Sequence, residues 1–177
     1  MSCTLLRPFR PEDRKLRVID GKAGPLNSTV PVPRYWRLVT AQEGQCKTIL
    51  LAYDSESVRR VLAAIMIGQG YSVTCCGDGD AALRYLRSNR ADLVVTGMVM
   101  PNMDGLQLIR RLQGLQGHLP ILALAEEADQ MSRIYLRYAG LAGAASTHTV
   151  PVRRDIFLYK ICNILGGAPH AIRNAVW

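Results

Sequence analysis

Asp92-Leu93-Val94-Val95-Thr96-Gly97-Met98-Val99-Met100-Pro101-Asn102-Met103-Asp104-Gly105 is the stretch on which the reading of this chain turns. Residues 93–96 are apolar or β-branched without polar alternation, which predicts a strand covered on both faces. Pro101 interrupts any regular element, and Asp104 stands where a helix would be capped. Leu108, Ile109 and Leu112 then recur at helical spacing, and Gly114 and Gly117 close the helix.

The same strand, turn and helix unit repeats on both sides. Thr48-Ile49-Leu50-Leu51-Ala52-Tyr53 is a continuous apolar run, followed by Asp54 and Ser55 as N-cap candidates and by Val58, Val61, Leu62, Ile65 and Met66 at helical spacing. Residues 71–76 predict a second strand. Gly77-Asp78-Gly79-Asp80 is a turn, and Ala82, Tyr85 and Leu86 mark a short helix. Pro120-Ile121-Leu122-Ala123-Leu124-Ala125 is a fourth strand, and Met131, Ile134, Tyr135 and Tyr138 mark the helix that follows. Ala144-Ala145-Ser146 is a weak fifth strand, and 154–165 a fifth helix. Five such repeats imply an α/β fold with a doubly wound parallel sheet, helices on both faces and ligands at the carboxyl ends of the strands. Those ends are Tyr53-Asp54, Thr96-Gly97, Ala125-Glu126 and Ser146-Thr147.

Residues 1–46 differ. Pro8, Pro11, Pro25, Pro31 and Pro33 break helices, and the short apolar pieces 16–19 and 35–40 are strand candidates. The expected division is a basic, proline-containing extension over 1–46, the repeating domain over 47–166, and a tail over 167–177. The formal net charge of +8 concentrates toward the start. Residues 1–47 carry nine basic and four acidic side chains. A basic arm suits an acidic protein, an anionic lipid or a nucleic acid, but the simplest reading is a solvated extension.

Composition excludes several classes. With 49% hydrophobic and 20% charged residues the chain is globular in character. No apolar run reaches the roughly 18 residues that span a bilayer, and the opening residues lack the apolar core of a secretory signal. Five cysteines, an odd number without Cys-x-x-Cys spacing, predict reduced thiols and a cytoplasmic protein. No Gly-rich phosphate loop, nucleophile elbow or metal motif is present, so no enzyme, metal or cofactor is expected.

The quoted stretch resembles the central signature of bacterial response-regulator receiver domains: a strand, an acceptor aspartate, a few Met or Ile residues, Pro, then Met-Asp-Gly opening a helix. Gly70-Tyr71-Ser72-Val73, Gly77-Asp78-Gly79-Asp80-Ala81-Ala82-Leu83 and Ala139-Gly140 resemble other stretches of the family in the same order. The resemblance covers about 47–166. It implies a flavodoxin/CheY-like sheet of five parallel strands in the order 2-1-3-4-5, flanked by five helices. It also implies phosphoryl transfer from a histidine kinase to an aspartate, assisted by Mg2+, a lysine and a hydroxyl.

Position by position, that chemistry is missing. The acid pair falls on Tyr53 and Asp54, the acceptor on Gly97, the switch hydroxyl on Ala125 and the lysine on Thr147, with His148 in the place of the following proline. The resemblance therefore implies an atypical pseudo-receiver that works without phosphorylation. Thr96 has a hydroxyl, but strand alternation points it away. The ordinary role for Asp54 is a helix cap.

What remains is an interaction module in a two-component or phosphorelay pathway. Its expected partner is a signalling protein, with a second copy of the chain as a further candidate. Ile156, Phe157, Leu158, Tyr159, Ile161, Ile164 and Leu165 occupy more than one stripe of the fifth helix. Either that helix is deeply packed or it exposes an apolar face. Arg133, Arg137, Arg154 and Tyr159 are the expected centre of the interaction surface. The alternative reading gives these arginines a phosphate-bearing ligand such as a cyclic dinucleotide, or a nucleic acid. No DNA-reading module follows the domain, and neither nucleic acid nor membrane is an expected partner.

Overall fold

Two-sided burial is what the apolar runs dictate, and it is what the chain adopts. The computed structural model describes residues 16–18, 47–115, 119–127 and 130–166. In chain order the elements are β1 (Leu16–Val18), β2 (Thr48–Ala52), α1 (Glu56–Gly68), β3 (Ser72–Cys76), α2 (Gly79–Leu86), β4 (Leu93–Gly97), α3 (Gly105–Leu115), β5 (Ile121–Glu126), α4 (Gln130–Leu141), β6 (Ser146–Val150) and α5 (Arg154–Ile164). The sheet order is β1-β3-β2-β4-β5-β6 and every pairing is parallel. Strands β2 to β6 thus take the expected 2-1-3-4-5 arrangement with five helices.

The departure is a sixth strand. Residues 16–18, within the expected 16–19 piece of the extension, pair with the edge of β3, Leu16 against Val73 and Val18 against Cys75. The other candidate, 35–40, lies outside the described residues.

Alternation along each strand builds two cores. Ile49, Leu51 and Tyr53 turn to one face with Val95, Leu122 and Leu124, beneath Leu62 and Met66 of α1 and Phe157 and Ile161 of α5. Leu50 and Ala52 turn to the other, with Val94, Ile121 and Ala123, beneath Leu86, Leu108 and Leu112. At the amino end, Asp92 accepts from Lys47 Nζ at 2.9 Å and from Thr48 N at 2.7 Å, tying the starts of β2 and β4 together. At the carboxyl end the loop after β4 folds tightly back. A Cβ on Gly105 would lie 2.1 Å from the Gly97 carbonyl oxygen, so only glycine fits there.

The helices settle an open question from the sequence. On α5, Phe157 and Ile161 are buried, Ile156, Leu158 and Ile164 are half-buried, and Tyr159 is exposed. This helix packs on the sheet and leaves no broad apolar face. No helix among the described residues is long and apolar enough to cross a membrane.

Candidate functional site

The site sits where β2 and β4 end side by side. Ala52 pairs with Thr96, and Gly97 is one step further, beside Leu124 of β5. Tyr53 follows β2, its amide donating to Cys76 O at 3.1 Å. That anchors the residue so that its ring turns over Gly97. A Cβ on Gly97 would meet Tyr53 Cδ2 at 3.1 Å, Cε2 at 3.3 Å and Met100 Cγ at 3.6 Å. The aromatic ring therefore fills the volume into which a side chain at position 97 would project. Tyr53 is only 3% exposed. Its phenol is pushed up to about 12, first by burial and then by the nearby negative charges of Glu126 and Asp54. It is a neutral filler at physiological pH.

Arg59 holds this arrangement from behind. It lies on the buried face of α1 and donates from Nη1 to Tyr53 O at 2.5 Å and to Asp54 O at 3.2 Å. No motif in the sequence singles it out. Its signal is register: Arg59 stands three and four positions before Leu62 and Ala63, on the face that turns inward.

The remaining predicted residues divide. Ala125 lies at the carboxyl end of β5 as expected, buried and paired with Thr149. Thr96 is buried and its hydroxyl donates to Gly97 O at 3.1 Å. Asp104 accepts from Gln107 N at 2.7 Å and so caps α3. Asp54 corrects the expectation: it is exposed, the N-cap of α1 is Ser55, and no side chain caps that helix.

Thr147 is a second correction. It does not close its strand but pairs with Ala123 in mid-sheet, because β6 runs on to Val150. The residues at that end are Val150 and Pro151, which line a notch with Glu126 and Glu127. Val150 therefore stands where a lysine would have to reach the site, and it is apolar. His148 is likewise a mid-strand residue, stacked on Phe157 with ring centroids 6.2 Å apart. Lys160 on α5 is near this strand and donates to Thr147 O.

The acid and magnesium chemistry can now be judged on the donor set. Mg2+ takes about six oxygen ligands and gives up water reluctantly. Around Gly97 the described residues offer two exposed carboxylates, Asp54 and Glu126, and a neutral, buried ring, and no group of three metal-ligating side chains. These residues do not fit the ion.

His148 makes a pH prediction. Burial lowers its imidazole below the ordinary value, Lys160 adds to this, and Glu127 works in the opposite direction. Its buried Nε2 has no hydrogen-bond partner. The unfolded chain then binds a proton that the folded chain resists, so stability falls as pH drops below about 6.5 and is flat above about 7. Denaturant midpoints measured from about pH 7.5 down to about 5.5 should decline, and the decline should be shallower in His148→Gln. Asp78 and Asp92, both held low, add their own loss only near pH 4 and below. Equal slopes in the two proteins would remove His148 from this role.

A doubly wound parallel sheet of this order, with its candidate site at the carboxyl ends of β2, β4 and β5, defines the flavodoxin/CheY-like class of α/β domains. Within that class the chain belongs to the response regulator receiver domain family, whose model matches residues 49–145. Response regulator MprA of Mycobacterium tuberculosis is 38% identical over 100 residues, 56% of this chain and 42% of that protein. The chain thus spans less than half the length of the curated relatives it matches. Among solved structures, a response regulator from Chloroflexus aurantiacus superposes with a TM-score of 0.64 at 28% identity, covering 69% of this chain and 99% of that one. The signal receiver domain of a histidine kinase from Syntrophus aciditrophicus gives 0.62 at 25%, covering 75% and 98%.

Arg133, Arg137, Arg154 and Tyr159, expected at the centre of an interaction surface, are all exposed. Arg133 and Arg137 lie one turn apart on α4, and Arg154 opens α5.

Proposed function

We propose that this chain is a pseudo-receiver: a phosphorylation-independent signalling protein of a two-component or phosphorelay pathway that acts by protein–protein interaction. One observation carries the reading. The ring of Tyr53 packs against Gly97 and takes the space in which an acceptor carboxylate and its phosphoryl group would stand. The substitution is complementary, since the glycine makes room for the ring. Ala125 offers no hydroxyl to follow a phosphoryl group, and Val150 offers no ammonium to neutralise one. Output then comes from a surface held in one state, or from a partner that binds one state better than another. The α4 and α5 side of the domain, with Arg133, Arg137, Arg154 and Tyr159, is that surface. Residues 47–166 form the working unit in this reading, with 1–46 as an extension and 167–177 as a tail.

The test is direct. Incubated with acetyl phosphate and Mg2+, the protein should keep its intact mass. Gain of one phosphoryl group in a base-labile form would overturn the reading, and mapping it to Asp54 would identify the substitute acceptor.

A further inference from the structure

We propose that the outer edge of β3 is a strand-docking site, filled by Leu16–Val18 of the extension and open to an extended, β-branched segment of a partner protein that replaces this strand by parallel pairing. The edge lies at the opposite end of the sheet from β6, and its use does not depend on phosphoryl chemistry.

The receiving edge is fixed and its occupant is not. β2 holds β3 from the inner side over all five residues, Ser72 to Cys76. Val73 and Cys75 belong to the core that α1 covers. Thr74 is buried on the other face and donates from Oγ1 to Tyr85 Oη at 3.3 Å. The side chains of β3 are thus engaged inside the domain whether or not β1 is present. What meets a newcomer at the edge is backbone, and strand addition draws its affinity from main-chain hydrogen bonds.

β1 is a weak occupant. Among the described residues its pairing spans three positions: Leu16 against Val73, Arg17 against Thr74 and Val18 against Cys75. In the sequence, Arg14 and Lys15 precede it and Asp20 and Gly21 follow. Basic residues blunt an edge, and Asp and Gly are poor strand formers. The advantage of β1 is its tether, since residues 19–47 join it to β2 and keep it at a high local concentration. A second copy offers the same three residues without that tether, so it does not displace β1. A partner segment rich in valine, isoleucine and threonine does, because its residues favour the strand where those of the extension do not. The register sets its pattern: apolar residues opposite Val73 and Cys75, and a polar one opposite Thr74.

The experiment uses the full chain and a labelled synthetic peptide in which valine alternates with threonine between terminal lysines. Its twin carries the same side chains on N-methylated amides, which removes the ladder donors. Fluorescence anisotropy should show the peptide binding at least about tenfold more tightly than its twin. Leu16→Asp/Val18→Asp weakens the resident strand and should tighten peptide binding at least about tenfold. Its circular dichroism spectrum should be unchanged, because β2 to β6 stay paired with one another. In the unmodified chain, amide hydrogen exchange at residues 16–18 should speed up when the peptide binds. Equal binding of the twins, an aspartate variant that binds no better, or exchange at 16–18 that ignores the peptide would each overturn the proposal. So would a dimer by sedimentation equilibrium that the aspartate variant dissolves, which assigns the edge to strand exchange between two copies.

Discussion

Gly97→Asp should lose stability and gain no phosphoryl group. Its Cβ would be pressed to 3.1 and 3.3 Å from the Tyr53 ring. Overpacking of this kind costs about 1–3 kcal/mol. The carboxylate would also be partly desolvated beside the charges of Asp54 and Glu126, with no lysine to offset it. A combined loss of about 3 kcal/mol lowers Tm by about 6–12 °C in a chain of this size. The informative companion is Tyr53→Asp/Gly97→Asp. It removes the ring and places two new carboxylates beside Asp54, so calorimetry should detect Mg2+ binding that the parent lacks. Robust labelling of the single variant would mean that the ring swings aside and the site is more complete than its residues suggest. A double variant that still ignores Mg2+ would mean that the ring is not the obstacle.

Phe157→Ala should cost about 3–5 kcal/mol, the usual range for deleting a fully buried aromatic side chain. Phe157 is wholly inaccessible, packs among Leu122, Leu124 and Ile161, and stacks on His148. Its removal loosens α5 from the sheet. Tyr159→Ala, two positions on and exposed, should stay within about 0.5 kcal/mol. Denaturant midpoints at constant m-value make the comparison. A loss below about 1 kcal/mol for Phe157→Ala would mean that α5 is not docked through this residue.

These two positions show what could and could not be read from the sequence. Strands buried on both faces leave uninterrupted apolar runs, so β2, β4 and β5 announce themselves; the helix count follows from the repeats, and the strand order from the resemblance to receiver domains. That position 97 carries no side chain is equally plain, because a glycine has none in any context. That the Tyr53 ring fills the space is not legible, since it depends on how the ends of two strands lie across the sheet. Thr147 is misplaced for a different reason. Every residue of Ser146-Thr147-His148-Thr149-Val150 is half-buried, so no apolar pattern marks where β6 stops. On α4 the periodicity is right and its meaning is reversed. Met131, Ile134, Tyr135 and Tyr138 predict a helix correctly, but a stripe that ordinarily marks the core here faces outward. Spacing fixes which residues share a face, and only packing decides which face is inside.

The strand contributed by the extension has a consequence in time. β1 leaves the ribosome before the other described strands, yet its partner among them, β3, is separated from it by β2 and α1. Until β3 has been made, Leu16, Arg17 and Val18 have nothing to pair with, while β2 and β3 meet across a single helix. Closing the longer loop carries the larger entropic cost for only three residues of ladder. A segment synthesised before the other described strands thus joins an edge that the later chain must first create, and the order of assembly runs against the order of translation.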